Sequence, residues 1–133
     1  GVGLVGSEMC IRDSLDPLDG DGFSEIMQAF HNDPLVNQDV MNGELYPTSY
    51  GAAEHAVDKN STHPIPNRIT STFGLGVDYA MPSANLNVVD SGVYWAASYE
   101  EGRKLFNDDR IGKYGNGKDV SSDHRMVWIK AQF

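Results

Sequence analysis

The chain reads as an α/β mixture of the α+β kind, with helix and strand signals in separate stretches, and three observations predict this. Ser24 followed by Glu25 opens a helix running to about Asn32, whose buried face Ile26, Met27, Ala29 and Phe30 would supply. From Gly74 the texture becomes that of strands, in Leu75 to Met81 and again in Leu86 to Trp95, where Val88, Val89, Val93, Tyr94 and Trp95 concentrate β-favouring types. Finally, His124 to Phe133 alternates, with Val127, Ile129, Ala131 and Phe133 on one face and Met126, Trp128 and Lys130 on the other.

Between these elements the sequence predicts loops. The cluster Asp19-Gly20-Asp21-Gly22 reads as a turn. Residues Asp33 to Asn67 hold Pro34, Pro47, Pro64 and Pro66 with many Asn and Ser. They are expected to be mostly loop, with one helix around Gly51 to Asp58 and the character of a rim around a site. Pro82-Ser83 and Asn85 separate the two strand-like runs, and a short helix near Tyr99 to Phe106 precedes a polar, glycine-rich loop from Asn107 to Ser122. No internal repeat is visible. The last strand suggests a sheet that closes at the end of the chain, whereas the start looks cut.

The first segment, Gly1 to Ser14, has a different texture and begins without methionine; its VGSEMCIRDS stretch resembles translated sequencing-adapter read-through. The chain therefore divides into a non-native leader, 1–14, and a partial domain, 15–133. Gly1-Val2-Gly3-Leu4-Val5-Gly6 formally matches a dinucleotide-binding GxGxxG, but that motif requires a preceding strand, which position 1 does not allow.

Composition bounds the function. With 133 residues, 40% of them hydrophobic and 22% charged, the chain is long enough to bury a core without metals or disulfides. Its formal charge of −9, from 19 acidic and 10 basic residues, repels phosphate backbones and anionic membranes, so duplex DNA is a poor default partner. The single cysteine, Cys10, excludes an intrachain disulfide and a cysteine-based zinc site. There is no run of about 18 apolar residues, so no membrane insertion is expected, and no secretory signal lies within the chain.

Two constellations carry chemistry. Ser122-Asp123-His124 stands at the mouth of the last strand. A histidine between a polar loop and a buried strand can turn one ring nitrogen to solvent while a carboxylate fixes the other, as general base catalysis requires; the bland alternative is a surface cap. Asp78 is the one charge in the apolar run Gly76 to Ser83. A carboxylate there is either exposed at a strand end or buried with a partner that offsets its desolvation. Strand ends can bring Asp78 to His124, and the carboxylate would then orient the imidazole and stabilise its protonated form.

In order along the chain, Asp16-Pro17-Leu18-Asp19-Gly20-Asp21, Val77-Asp78-Tyr79-Ala80-Met81-Pro82-Ser83, Asp90-Ser91-Gly92-Val93-Tyr94-Trp95 and Ser121-Ser122-Asp123-His124-Arg125-Met126-Val127-Trp128-Ile129 resemble the C-terminal half of bacterial endonuclease/exonuclease/phosphatase proteins, including large secreted ones. The resemblance covers most of Leu15 to Phe133. It implies half of a four-layer α/β sandwich with mainly antiparallel strands, and a divalent-metal site, usually Mg²⁺ and alternatively Mn²⁺ or Ca²⁺, for hydrolysing phosphoesters. By the same resemblance His124 matches the catalytic histidine, Asp78 the carboxylate paired with it, Asp123 an acid beside the metal, and Ser122 a substrate contact. Two departures stand out: Gly76 falls where the family carries Arg, and Ser14 where it carries Asn.

The substrate implied is a phosphodiester, either nucleic acid or a small organophosphate, and the acidic composition suits a secreted bacterial enzyme. That activity is expected of the parent protein, whereas the chain itself, a partial domain, is expected to be catalytically inactive; the remaining rival reading is a non-enzymatic sugar- or calcium-binding module. Asp19, Asp21 and Gly22 resemble a calcium loop, but Gln28 stands near the place of the closing Glu. His31, His55 and His63 lack the spacing of a helical zinc pair and read as loop or surface residues, and Asn60-Ser61-Thr62 fits a glycosylation sequon.

Overall fold

The computed structural model describes residues 3–5, 24–105 and 122–133. The Asp16 to Gly22 turn and calcium-like cluster, Cys10, and the loop from Asn107 to Ser121 lie outside them. The described residues form an α+β fold in the order β1 (Gly3–Val5), α1 (Ser24–His31), α2 (Gln38–Met41), α3 (Tyr50–Asp58), β2 (Asp78–Ala80), β3 (Asn87–Tyr94) and β4 (Met126–Gln132), with 3₁₀ turns at Pro66–Arg68 and Glu101–Leu105. Strands pair in two antiparallel ribbons, β1 with β2 and β3 with β4. Among the described residues no helix is long and apolar enough to cross a membrane.

β3 and β4 form the longer ribbon, matching Val93 to Val127, Ser91 to Ile129 and Asn87 to Gln132. A bulge between Val88 and Asp90 inserts one residue, so buried Val88 shares the inner face with Val93 although their separation in sequence is odd. Val127 packs on a core of Ala52, Ala56, Ile69, Val93, Trp95 and Ala96. Two residues on, Ile129 packs on a second core of Met27, Val40, Met41, Tyr79 and Val88, so one face of β4 joins both. Phe133 was expected on that face, but it lies beyond the last paired residue, Gln132, and is fully exposed.

Helix α3 is fixed by its ends: the Ser49 hydroxyl accepts from the Ala52 N–H, and the Lys59 N–H donates to the His55 carbonyl. Its second residue, Gly51, lets the helix sit directly on β3's exit, because a Cβ there would lie 2.3 Å from the Trp95 carbonyl oxygen. Gly51→Ala should therefore destabilise the fold by about 1–3 kcal/mol, read as a lower urea midpoint at unchanged slope. Helix α2 lies in the stretch expected to be mostly loop and is nucleated by Asn37. The side chain of Asn37 accepts from Asp39 and Val40 N–H groups and donates to the Leu86 carbonyl at 2.9 Å.

Three further expectations about the elements need correction. Helix α1 buries Met27 and His31, leaving Ile26 and Phe30 more than half exposed and Ala29 exposed. The sequence offers two stripes one residue apart, and the 27/31 stripe wins because the His31 ring packs against Tyr46 and Tyr79, with its Nδ1 3.1 Å from the Met41 carbonyl. The strand expected over Leu75 to Met81 is only Asp78–Ala80. Residues 71–77 are instead drawn into a turn, with Gly74 at φ 91°, the Ser71 hydroxyl bonded to Leu75 and the Tyr79 hydroxyl donating to the Gly76 carbonyl. The helix expected near Tyr99 to Phe106 is a tighter 3₁₀ turn over Glu101–Leu105. Within the glycine motif at the start, Gly3–Val5 lie in a strand, with Gly3 opposite Ala80.

Candidate functional site

The site is assembled where two segments cross. Residues Thr70–Thr72 run antiparallel to Asp123–Arg125: the Arg125 N–H donates to the Thr70 carbonyl at 2.7 Å and the Thr72 N–H to the Asp123 carbonyl at 2.9 Å, with Ser71 opposite His124. This short ladder holds His124 just before β4. The Thr70 hydroxyl accepts from the Val77 and Asp78 N–H groups at 3.0 and 3.1 Å, which fixes the start of β2 against the same ladder. Asp78 and His124, 46 residues apart, are thereby brought face to face.

The expected meeting of these two side chains is observed. His124 Nδ1 is 2.9 Å from both carboxylate oxygens of Asp78, short enough for a charge-assisted hydrogen bond. Asp78 is 6% exposed, so the lone charge of the apolar run is the buried kind with a partner. A carboxylate can only accept, so Nδ1 is the donor in this contact, and a neutral ring so bonded would carry its lone pair on Nε2, as a base requires. The His124 side chain is 18% exposed and its Nε2 lies 4.0 Å from Asp123 Oδ1, too far for a hydrogen bond but close enough to feel its charge. The ring of Phe73 meets His124 edge-on, with centroids 5.6 Å apart.

Burial raises the Asp78 carboxyl above its ordinary value, an effect opposed by the hydrogen bonds from His124 and Thr70 and reinforced by the Asp123 charge. Removal from water thus outweighs the partners, and the carboxylate is held in the fold at a net cost.

Ser122 is exposed, and its hydroxyl accepts the His124 N–H at 3.0 Å, while its carbonyl accepts from Arg125 at 2.5 Å. The contacts observed for it thus shape the turn that presents His124. Asp123 has a side chain 38% exposed at the rim. Mg²⁺ keeps several waters and takes one or two protein carboxylates together with substrate oxygens. Asp123 fits such an ion as one ligand; Asp78, buried and already bonded to His124 and Thr70, does not. Among the described residues no three His, Cys, Asp or Glu side chains gather into a cation cage.

Several residues that position the site were missed. His31, His55 and His63, read as surface or loop residues, are all buried. His63 Nδ1 accepts the Ile65 N–H at 3.0 Å, and so braces the segment between Pro64 and Pro66. His55 matters more. Its Nε2 is 2.9 Å from the Thr72 carbonyl, and its ring tilts against Trp95 at 4.9 Å, over which the buried Arg125 guanidinium sits at 4.6 Å. His55 therefore supports, from behind, both segments that present His124. No sequence signal points to this, because the partner is a backbone carbonyl.

Burial lowers the His55 pKa below its ordinary 6.5, with the Thr72 hydrogen bond opposing and Lys59 and Arg125 reinforcing. A folded-state value below the unfolded one means that the stability it contributes is present above pH 6.5 and is lost as pH falls through the lowered value. Urea unfolding should show wild type losing more stability between pH 7.5 and 5.5 than His55→Gln, which keeps an N–H donor but does not titrate; equal losses would exclude His55 as the titrating group.

The fold and site together define the class: an α+β protein with a buried aspartate orienting a rim histidine. In comparisons with known proteins, the chain matches no family profile, no curated protein and no solved structure.

Proposed function

We propose that this chain carries the proton-handling part of a divalent-metal-dependent phosphoester hydrolase, a nuclease or phosphodiesterase, on half of a four-layer α/β sandwich. The observation that supports it most is the contact of His124 Nδ1 with both oxygens of buried Asp78 at 2.9 Å, which leaves Nε2 as the basic atom at a partly open rim. In this reading Nε2 takes the proton of the attacking water as its oxygen adds to phosphorus, and Asp78 stabilises the imidazolium that results. The leaving alkoxide is released as the P–O bond breaks and is protonated by His124 or solvent. Ser122 contacts the substrate. Asp123 would help to hold Mg²⁺, Mn²⁺ or Ca²⁺, which when bound supplies charge neutralisation at the phosphate. The substrate is nucleic acid or a small phosphodiester, and a net charge of −9 suits an acidic secreted bacterial protein.

The test is hydrolysis of bis(4-nitrophenyl) phosphate by the purified chain. Turnover that requires Mg²⁺ or Mn²⁺, and stops on chelation, supports the reading; turnover indifferent to chelator would refute it. A second reading rests on the saturation of Asp78 by His124 and Thr70, which equally makes the pair a brace between β2 and the start of β4. On that reading, substitutions at 78 and 124 change stability and leave no hydrolysis to lose.

A further inference from the structure

An open cavity of about 370 Å³ lies between Lys59–Thr62 and Thr72–Leu75, and one of its lining residues, Phe73, meets the His124 ring. Three observations bear on its contents. It adjoins the reacting histidine, because Phe73 lines it and also meets the His124 ring at 5.6 Å, while Thr72 lines it and donates its N–H to the Asp123 carbonyl. It is lined by hydroxyls and an amide, and Lys59 is the one charged residue among its described lining, in a protein whose net charge is −9. Both walls are shaped by left-handed backbone, Asn60 at φ 52° and Gly74 at φ 91°, and a Cβ on Gly74 would meet nothing within 4 Å, so this wall leaves open space.

We propose that this cavity is a subsite for a second phosphate of the substrate, held by Lys59 with the hydroxyls of Ser61 and Thr62, while the scissile phosphate lies at His124. The proposal rests on the hydrolase reading and narrows it: the substrate is a chain with successive phosphodiesters, as in an oligonucleotide, and a lone phosphodiester uses only the His124 end. A single ammonium on a half-open cavity contributes an interaction worth about tenfold in affinity, and salt weakens it.

The experiment is ¹H–¹⁵N NMR of the whole chain titrated with a 5′-phosphorylated thymidine dinucleotide and, separately, with dimethyl phosphate. The dinucleotide should move the amides of Asn60, Ser61 and Gly74 together with that of His124, and dimethyl phosphate only the last. Lys59→Met should weaken the dinucleotide about tenfold and leave dimethyl phosphate unchanged, and Lys59→Arg should restore most of the loss. Lys59 is exposed, so the variants are expected to fold, which the undisturbed spectrum checks. If the dinucleotide leaves Asn60 and Gly74 unmoved, or binds Lys59→Met as tightly as wild type, the subsite is wrong. If it moves Asn60 and Gly74 but not His124, the anion site stands and the hydrolase reading fails. Thymidine 3′,5′-bisphosphate binding as tightly as the dinucleotide would overturn the choice of a chain over a small bisphosphate.

Discussion

Replacing His124 with glutamine is expected to lower metal-dependent phosphodiester hydrolysis by about 10²–10⁴-fold while the chain stays folded. Glutamine retains an N–H that can reach Asp78 but has no group that accepts a proton near neutral pH. Alanine is the harsher change, because it strands a carboxylate that is only 6% exposed. Breaking a buried pair from one side costs about 3–5 kcal/mol. The His124 hydrogen bond is the largest of the effects opposing burial at Asp78, so its loss should push the carboxyl still higher. His124→Ala would then lose stability mainly at neutral pH and recover it in acid, as urea unfolding at pH 3.5 and 7.0 would show. Wild-type activity in His124→Gln would remove the histidine from the chemistry.

Asp78→Asn should separate function from stability in the opposite sense. An asparagine amide can donate to Nδ1, which moves the ring proton to Nε2 and occupies the basic atom, and a loss of about 10²–10⁴-fold in turnover follows. Stability should not fall in step. The folded-state pKa of Asp78 is raised above its ordinary 3.8, so its favourable contribution is complete below pH 3.8 and is lost as pH rises through the raised value. The ionised carboxylate is thus a burden at neutral pH, and Asp78→Asn should be relatively more stable than wild type at pH 7 than at pH 3. A variant that loses activity and unfolds at pH 7 would favour the brace.

The pair was legible because charge is rare in an apolar run. Asp78 between Val77 and Tyr79 demanded a partner, and His124 at the mouth of an alternating strand was the residue able to supply one. β3 and β4 were readable for the related reason that Val88, Val93, Val127 and Ile129 fall on the buried side of the pleat once the bulge is allowed for. What failed to show were features set by backbone partners. Thr70 looks like any polar residue between Ile69 and Ser71, yet its hydroxyl fixes the approach to β2. His55 is addressed to the Thr72 carbonyl, which has no sequence signature. Helix α1 carried two competing apolar stripes, and only the tertiary contacts of Met27 and His31 chose between them. The Leu75 to Met81 run had the texture of a strand, but Gly74 and the Ser71 hydroxyl turn most of it aside.

Everything chemical here depends on which nitrogen of His124 carries the proton. Long-range ¹H–¹⁵N correlation of the imidazole at pH 7.5 reports this directly, without requiring turnover. The structure predicts a ring protonated at Nδ1 with Nε2 bare in the wild type, shifting to the Nε2–H form in Asp78→Asn. A wild-type ring protonated at Nε2 would contradict the account.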